Sequence, residues 1–219
     1  LLPKHIIIIE QNPDLNSNSD LDYLYNEDWP FQITHKFIHK TGACQARNLA
    51  LDLVENEWVF LADDDISINK SFLQDAFKLI FTYKINVLVS ECLQNDEKSQ
   101  NIDLKTCQRY GAGTSIINYE KLKHLRFNLA LEHGYGEDGN FGNKIRHCGY
   151  DILFSSKIQI KHLKAPVGGF RAKRIVPWQK EKPKPKPSPT VLLSKKLHYT
   201  EEQILGYKVN LFIKTLKKK

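Results

Sequence analysis

The residues of this sequence most able to do chemistry are three consecutive aspartates, Asp63, Asp64 and Asp65. They follow the apolar run 58–62, which is short enough to be a buried strand. Neighbouring carboxylates repel one another, and a hard divalent cation with oxygen ligands commonly offsets such repulsion. The carboxyl end of a strand in a parallel α/β sheet is also where ligands bind. The tripeptide therefore predicts a metal site, with a solvated acidic turn as the alternative.

Three further features carry groups that could complete such a site. Arg47 lies at the start of a helix predicted over 42–56, where its guanidinium and the backbone N–H groups could hold an anion, although a surface arginine at a helix start is equally common. Glu137 and Asp138 lie in a glycine-rich turn and could supply a general base, or they could simply complement a helix dipole. His162 ends a predicted strand, where a histidine is either structural or a metal ligand.

Predicted strands and helices alternate along the chain and bring these residues to one region. The β-branched run at 5–10 is typical of a strand buried on both faces. The other predicted strands cover 32–38, 58–62, 86–93, 111–118, 151–154 and 158–162. Helices are predicted over 42–56, 71–83, from the turn at 134–139 to near Gly149, and from 201 onward. This order predicts an α/β fold with a mostly parallel sheet flanked by helices and a C-terminal helical extension.

The composition is that of a soluble globular protein, with 41% hydrophobic and 26% charged residues in a chain of 219. This length favours one domain with an appendage over two full domains. The four cysteines lack metal-ligand spacing, so we expect neither a zinc site nor a disulfide framework, and a reducing cytosol fits best. No stretch reaches the roughly 20 apolar residues of a membrane-spanning helix. A cytoplasmic protein is the expectation.

The carboxyl-terminal part has a different character. Residues 180–189 are rich in lysine and proline, which alternate over 182–187, and this composition favours an extended linker. Residues 200–203 match a capping box, and the amphipathic pattern after them predicts a helix rich in lysine. This helix could pack against the domain or lie on an anionic membrane, and we expect it to do both, with one face buried on the domain and its lysines facing lipid headgroups. The net charge of +7, concentrated after residue 157, indicates an anionic partner, but no nucleic-acid-binding motif is present.

Taken in order, these residues resemble the family 2 glycosyltransferases, inverting nucleotide-sugar-dependent enzymes with the GT-A fold. The resemblance covers residues 6–171 and consists of a strand ending in an acid, a G-x-x-x-A-R-N helix start, a D-x-D element, a G-E-D turn and a late histidine. It implies a catalytic domain over 1–176, a Pro/Lys-rich linker over 177–190 and a basic helical tail over 191–219. Family members usually begin with one more strand and helix, so this chain is expected to start at the family's second strand.

The resemblance assigns roles around the donor. Glu10 takes the place of the family's acid, commonly Asp, that hydrogen-bonds the nucleotide base, and Arg47 lies where the family has an arginine near the donor nucleotide. Asp65 is expected to hold a divalent ion, Mn²⁺ or Mg²⁺, that bridges the donor phosphates. Asp63 or Asp64 lies near the ribose in this interpretation, and a UDP-sugar is the expected donor.

The resemblance also assigns roles around the acceptor and the metal. Asp138 matches the base that takes the proton from the acceptor hydroxyl, and Glu137 orients that base or the acceptor. His162 matches a late residue that completes the metal shell, and Asp63 is the third expected ligand. The implied reaction transfers a sugar with inversion to a saccharide or lipid-linked acceptor, as in bacterial surface polysaccharide or glycolipid synthesis. The enzyme would be cytoplasmic, with its tail as a candidate contact to the inner face of the cell membrane.

Two other interpretations stay open. A non-catalytic sugar- or nucleotide-binding domain could keep this fold without turnover. Haloacid-dehalogenase-type phosphatases also have a hydrophobic strand ending in D-x-D, in which the first aspartate is the nucleophile. That motif usually lies near the start of the fold, whereas two strand–helix units precede Asp63 here. No Ser/Thr and Lys motif follows at a recognisable spacing, which disfavours the phosphatase.

Overall fold

The computed structural model describes residues 1–95, 97–132, 134–163, 176 and 178–216. In chain order, the elements within these ranges are β1 His5–Gln11, α1 Tyr23–Asn26, β2 Gln32–Ile38, α2 Ala43–Asp52, β3 Trp58–Ala62, β4 Ile66–Ile68, α3 Phe72–Tyr83, β5 Val87–Leu93, β6 Lys105–Thr106, β7 Thr114–Asn118, α4 Tyr119–Leu122, a 3₁₀ turn Leu129–Leu131, α5 Glu137–His147, β8 Leu153–His162, α6 Pro189–Lys196 and α7 Glu201–Leu216. The end of the segment that resembles the glycosyltransferases, residues 164–171, lies outside the described residues, as do 177 in the linker and 217–219 in the tail.

The strands form two sheets. β1 and β2 pair in parallel, with His5 opposite Gln32 and Gln11 opposite Ile38. The larger sheet has the order β3-β7-β5-β8-β4, and β6 also pairs with β8. Within it β5 and β8 are parallel, whereas β7 is antiparallel to both β3 and β5. β4 and β6 are antiparallel to β8.

The predicted α/β class with helices flanking a central sheet is confirmed, but the large sheet is mixed and not mostly parallel. Parallel neighbours need a crossover connection, which is usually a helix. The described residues between β5 and β7 contain no helix, so β7 returns antiparallel beside β5. Helix α5 lies between β7 and β8 in the chain, and β8 is accordingly parallel to β5.

Alternate residues of the central strands enter two separate apolar clusters. Leu88 and Ile116 belong to one cluster, while their neighbours Val89 and Ile117 belong to the other. Because successive strand residues point to opposite faces, the clusters lie on opposite faces of the sheet. The helix residues that fill them are Phe72, Ala76 and Ile80 of α3 on one face and Phe141 and Ile145 of α5 on the other. Each large side chain buried in this way contributes roughly 1.5–3 kcal/mol, so both helices are fixed to the sheet.

Strand β8 is a single element, where the sequence predicted two short strands over 151–154 and 158–162. Its pairing with β5 shifts between Ser90 and Glu91, which lie opposite Ser155 and Gln159. The intervening residues form a bulge that interrupts the alternating pattern without ending the strand. At the bulge, the Ser156 N–H donates to the Ile102 carbonyl of the neighbouring loop, and Ser156 Oγ accepts the Ile102 N–H. The bulge explains why one strand gave the sequence pattern of two.

The predicted capping box of the tail helix is confirmed. The Thr200 N–H donates to Gln203 Oε1 at 3.0 Å, and the Gln203 N–H donates to Thr200 Oγ1 at 3.3 Å. The prediction that this helix buries a face on the domain is wrong, because no residue of α7 is buried. Most of its apolar side chains are exposed, Phe212 by 65% and Leu205 by 62%, while Ile204, Tyr207 and Leu211 are half-buried. The capping box stabilises the helix end locally, which leaves α7 helical without a packed face.

Within the part of the chain that the structure describes, no helix is both long and apolar enough to cross a membrane.

Candidate active site

The three aspartates occupy the short link between β3 and β4. Because β4 pairs with the end of β8, this link runs beside His162: Ile66 lies opposite His162, and the Leu163 N–H donates to the Asp65 carbonyl at 2.7 Å. The Asp65 Oδ2 and His162 Nε2 atoms are consequently 3.7 Å apart. The resemblance assigned these two side chains to one metal shell, and the fold brings them side by side although they are 97 residues apart in the chain (162 − 65).

The carboxylate of Asp63 occupies space that is open because residue 113 is a glycine. A Cβ atom built on Gly113 would lie 2.0 Å from Asp63 Oδ2, closer than any real contact. The absence of a side chain at Gly113 therefore lets the start of β7 approach the carboxylate. Any side chain at this position must displace Asp63.

Arg47 connects Asp63 to Asp138. From helix α2 its guanidinium donates through Nη1 to Asp138 Oδ1 at 3.1 Å and through Nη2 to Asp63 Oδ1 at 3.4 Å. It also lies over the Phe127 ring, 5.3 Å from the centroid, a cation–π contact that fixes its plane. Burial alone would lower the pKa of Arg47. The neighbouring carboxylates of Asp138 and Asp63 outweigh this effect and raise the pKa above its ordinary value, so Arg47 stays protonated. One arginine thus holds residues from three separate elements together.

Asp138 lies in the first turn of α5, where a carboxylate faces the positive end of the helix dipole. Its Oδ2 accepts the Ala112 N–H at 3.2 Å, and its Oδ1 accepts from Arg47. Burial raises the pKa of Asp138 above its ordinary value, while Arg47 and the Ala112 N–H oppose that rise. A carboxylate with a raised pKa, held in a fixed orientation, has the properties of a general base.

Glu132 is a part of the site that sequence reasoning missed. Its two carboxylate oxygens accept the N–H groups of Cys44 at 3.1 Å and Gln45 at 2.8 Å, at the start of α2. The helix therefore begins against a carboxylate supplied 87 residues later in the chain, and Arg47 follows in the next turn. No local pattern links Glu132 to this helix start, so sequence alone gave no signal. Glu132 fills the anion position that the sequence offered to a ligand.

Burial, helped by the same carboxylate, makes the Cys44 thiol unreactive. Burial, together with the nearby charge of Glu132, raises the pKa of the Cys44 thiol to about 12. Because the thiolate is the nucleophilic form of cysteine, this thiol is inert near neutral pH. Cys44 therefore supplies no nucleophile to the site near neutral pH.

The side chain of Glu10 contacts His35 and Ser19, which are not part of the acidic cluster. At the end of β1 its carboxylate contacts His35 Nε2 at 2.9 Å and accepts from the Ser19 hydroxyl. The predicted role of Glu10 in holding the nucleotide base remains a prediction. Of the other predicted residues, Asp64 lies between Asp63 and Asp65 in the link before β4, and Glu137 is the first residue of α5.

The predicted divalent ion can be compared with the donor atoms present. Asp65 and His162 offer a carboxylate oxygen and an imidazole nitrogen side by side. Among the residues described, no cluster of three or more His, Cys, Asp or Glu side chains is arranged to hold a metal. A two-residue arrangement suits an ion that takes its remaining ligands from water and substrate phosphates. The donor set fits a divalent ion that takes most of its ligands from outside the protein.

Comparison with known proteins gives a structural but not a sequence match. No protein-family model matches the chain, and no curated protein matches it either. The structure superimposes on S. aureus TarS in complex with UDP-GlcNAc with a TM-score of 0.65 and 16% sequence identity, covering 89% of this chain and 65% of that one. It also matches GalNAc-T7 with UDP, GalNAc and Mn²⁺ (TM-score 0.58, 13% identity, 74% of this chain and 38% of that one).

A third match is the mannosyltransferase PcManGT from Pyrobaculum calidifontis in complex with GDP-Man and Mn²⁺. Its TM-score is 0.51 at 16% identity, covering 76% of this chain and 58% of that one. This chain therefore spans less than two thirds of each of these three structures. The matched structures are glycosyltransferases of the GT-A type, and at these identities the likeness establishes the fold. This chain has a GT-A-type α/β fold.

Proposed function

We propose that this protein is a glycosyltransferase that moves a sugar from a nucleotide-sugar donor to an acceptor hydroxyl, with inversion and with help from a divalent metal. The observation that carries the proposal is the link from Asp138 through Arg47 to Asp63, which joins a base-like carboxylate to the D-x-D element. The GT-A-type fold supports it, since TarS and PcManGT share that fold and are bound to UDP-GlcNAc and GDP-Man. We further propose membership of glycosyltransferase family 2.

Asp138 performs the proton transfer in this proposal. Its carboxylate takes the proton of the acceptor hydroxyl as that oxygen attacks the donor sugar carbon from the face opposite the leaving group. Arg47 and the Ala112 N–H hold the carboxylate in one orientation for this step. Glu137, the neighbouring residue, orients Asp138 or the acceptor.

The donor side of the site holds the nucleoside diphosphate. Asp65 and His162 are the residues that would hold the metal, with Asp63 as the additional ligand proposed from sequence. When bound, Mn²⁺ or Mg²⁺ supplies Lewis-acid stabilisation of the charge that develops on the leaving diphosphate. Asp63 or Asp64 contacts the ribose, Arg47 lies near the nucleotide and Glu10 contacts the base. A UDP-sugar is the proposed donor.

The proposed setting is bacterial surface polysaccharide or glycolipid synthesis, with a saccharide or lipid-linked acceptor. We place the enzyme in the cytoplasm, peripheral to the inner face of the membrane. The exposed apolar side chains of α7, with Lys208 and Lys214 on the same helix, support a lipid contact. The family resemblance is also the basis on which we propose a catalytic domain over 1–176, a linker over 177–190 and a tail over 191–219.

A donor-consumption assay tests the proposal. Purified protein with Mn²⁺ is incubated with a panel of UDP- and GDP-sugars, and release of the nucleoside diphosphate is measured with and without saccharide acceptors. Metal-dependent release that increases with one acceptor supports the transferase. Binding of a nucleotide sugar without any release supports the non-catalytic alternative. Phosphate release from a phosphomonoester would instead support a D-x-D phosphatase.

A further inference from the structure

Helix α6 lies directly on the turn that leads into Asp138. The Tyr135 N–H donates to Thr190 Oγ1 at 2.9 Å, and Ser194 Oγ donates to the Gly136 carbonyl at 3.2 Å. Both hydroxyl-bearing residues are buried, Thr190 with 4% and Ser194 with 6% of its surface exposed. The segment 190–194, which starts at the last residue of the proposed linker, therefore holds the backbone two and three residues before the proposed base.

The turn and the helix fit too closely for larger residues. A Cβ atom on Gly134 would lie 2.2 Å from Thr190 Oγ1. Gly136 has a φ of +107°, a backbone conformation that other residues rarely adopt, and a Cβ atom there would meet Ser194 Cβ at 3.2 Å. These two glycines let α6 approach the turn until its hydroxyl groups reach backbone atoms. The contact between α6 and the turn at residues 134–136 therefore combines close packing with defined hydrogen bonds.

A third contact joins helix α5 to the residues that follow α6. Asn140, which is fully buried, places Nδ2 2.8 Å from His198 Nε2 just after α6. Burial lowers the pKa of His198, and the neighbouring His147 and Lys144 lower it further, so the imidazole is neutral near pH 7 and can accept this hydrogen bond. Contacts from 190, 194 and 198 thus reach 135, 136 and 140, on both sides of Asp138 in the chain.

We propose that Thr190 is a positioning residue for Asp138, acting through the turn at residues 134–136. Asp138 makes its own bonds to Arg47 and to the Ala112 N–H, and these require α5 to begin at one place. Thr190 fixes that place by holding the Tyr135 N–H, and Ser194 supports it at Gly136. This inference rests on the proposed transferase function, in which Asp138 accepts the acceptor proton. It predicts an effect on the chemical step and not on donor binding.

Three variants separate positioning from general packing. Thr190→Val keeps the shape of the side chain but removes the acceptor for the Tyr135 N–H, whereas Thr190→Ser keeps the hydroxyl. Thr215→Val makes the same chemical change on the exposed helix α7, where the hydroxyl donates to the Leu211 carbonyl of its own helix. For T190V we expect kcat to fall by about 10- to 100-fold, the scale caused by a small misplacement of a reacting group. Donor affinity measured by calorimetry should change less than threefold, while T190S and T215V should retain kcat.

Amide hydrogen exchange gives a readout that does not depend on turnover. The Ala112 N–H donates to Asp138 Oδ2 and lies far from residue 190 in sequence, so it reports where Asp138 is. In T190V its exchange should accelerate by about tenfold, the effect of losing one hydrogen bond, and T190S should restore protection. This experiment remains decisive even if wild-type protein transfers no sugar, a result that would overturn the proposed function alone.

Two outcomes would overturn the positioning role. One is unchanged Ala112 exchange in T190V, and the other is a kcat in T190V equal to that of T190S. If T190V does not fold, Ser194→Ala, which removes the bond to the Gly136 carbonyl, takes its place under the same criteria.

Discussion

Arg47 and Asp138 form an ion pair with 3.1 Å between Nη1 and Oδ1, and the second terminal nitrogen of the same guanidinium lies 3.4 Å from Asp63. The proposed base and the first residue of the D-x-D element thus share one cation. The charge that orients Asp138 also sets how readily it takes a proton. A change at Arg47 should therefore appear in the pH dependence of the reaction and not only in donor affinity.

Arg47→Gln should move the acid limb of the pH–rate profile to higher pH. Asp138 accepts a proton only when ionised, so activity is lost as the pH falls through its pKa. Burial raises that pKa and Arg47 opposes the rise, so removal of the guanidinium should raise the pKa further. The measurement is kcat/KM across pH, and Arg126→Gln, which breaks the 2.6 Å pair with Asp52, is the matched loss of charge. An acid limb that does not move would contradict the role of Arg47.

Asp138→Asn should retain donor binding and lose transfer by at least ~10²-fold, the usual contribution of a positioned general base. The amide preserves the shape of the side chain but cannot take up the proton. Glu137→Gln provides a comparison at the next residue and should be less sensitive. Single-turnover assays with saturating donor separate the chemical step from binding. Transfer by D138N at the normal rate would place the base elsewhere.

Asp65→Ala should abolish metal-dependent nucleotide binding, weakening it by ~10²-fold or more, since loss of a mere supporting partner of a metal ligand already costs 10- to 100-fold. The fold should persist, because the change relieves repulsion among three carboxylates. Calorimetry with UDP and Mn²⁺ measures the effect. Asp103→Ala is the control, because Asp103 pairs with Lys157 in an exposed salt bridge. Equal affinity in D65A and wild type would remove the metal site.

Gly113→Ala should weaken donor binding by displacing Asp63. The added methyl group would lie 2.0 Å from the Asp63 carboxylate, so either the side chain or the start of β7 must move. Gly206→Ala makes the same chemical change on α7, where a Cβ atom meets nothing within 4 Å, and should leave affinity unchanged. Titration of both variants with UDP and Mn²⁺ compares them. If G113A binds as tightly as G206A, the position of Asp63 does not matter for the donor.

The tail should bind anionic lipid through α7. Each lysine near a membrane surface contributes about 1 kcal/mol, so removal of residues 200–219 should lower vesicle binding by more than tenfold. Truncation after Tyr199 leaves the contacts of Thr190, Ser194 and His198 in place. Co-sedimentation with phosphatidylserine vesicles, with phosphatidylcholine vesicles as the control, measures the difference. Equal binding by both chains, or by neither, would exclude the membrane role.

The sequence predicted those parts of the site that are carried by local patterns. An apolar run before three aspartates placed Asp65 at a strand end, and the helix periodicity after Gly42 placed Arg47 in the first turns of α2. The closeness of Asp65 and His162 was expected only from the family resemblance, which assigns both side chains to one metal shell. The first two predictions needed only periodicity and the rule that ligands gather at strand ends.

Contacts between distant segments could not be predicted in this way. Nothing near Glu132 indicates that it holds the start of α2, and nothing near Thr190 indicates that it accepts the Tyr135 N–H. The sequence around 180–190 predicted only a linker, because its repeated lysines and prolines are typical of extended chain. The start of α6 at Pro189 could not be recognised within that pattern. For α7 an amphipathic pattern predicted packing, but such a pattern shows that a face is apolar and not what covers it.

The most direct test of the account is a crystal structure grown with UDP and Mn²⁺, with diffraction collected to locate manganese by its anomalous signal. We expect one manganese peak bound by Asp65 and His162, the diphosphate of UDP on the same ion, and Asp138 still held by Arg47 and facing open space on the acceptor side. A structure that contains UDP away from Asp65, or manganese bound elsewhere on the chain, would contradict the central claim.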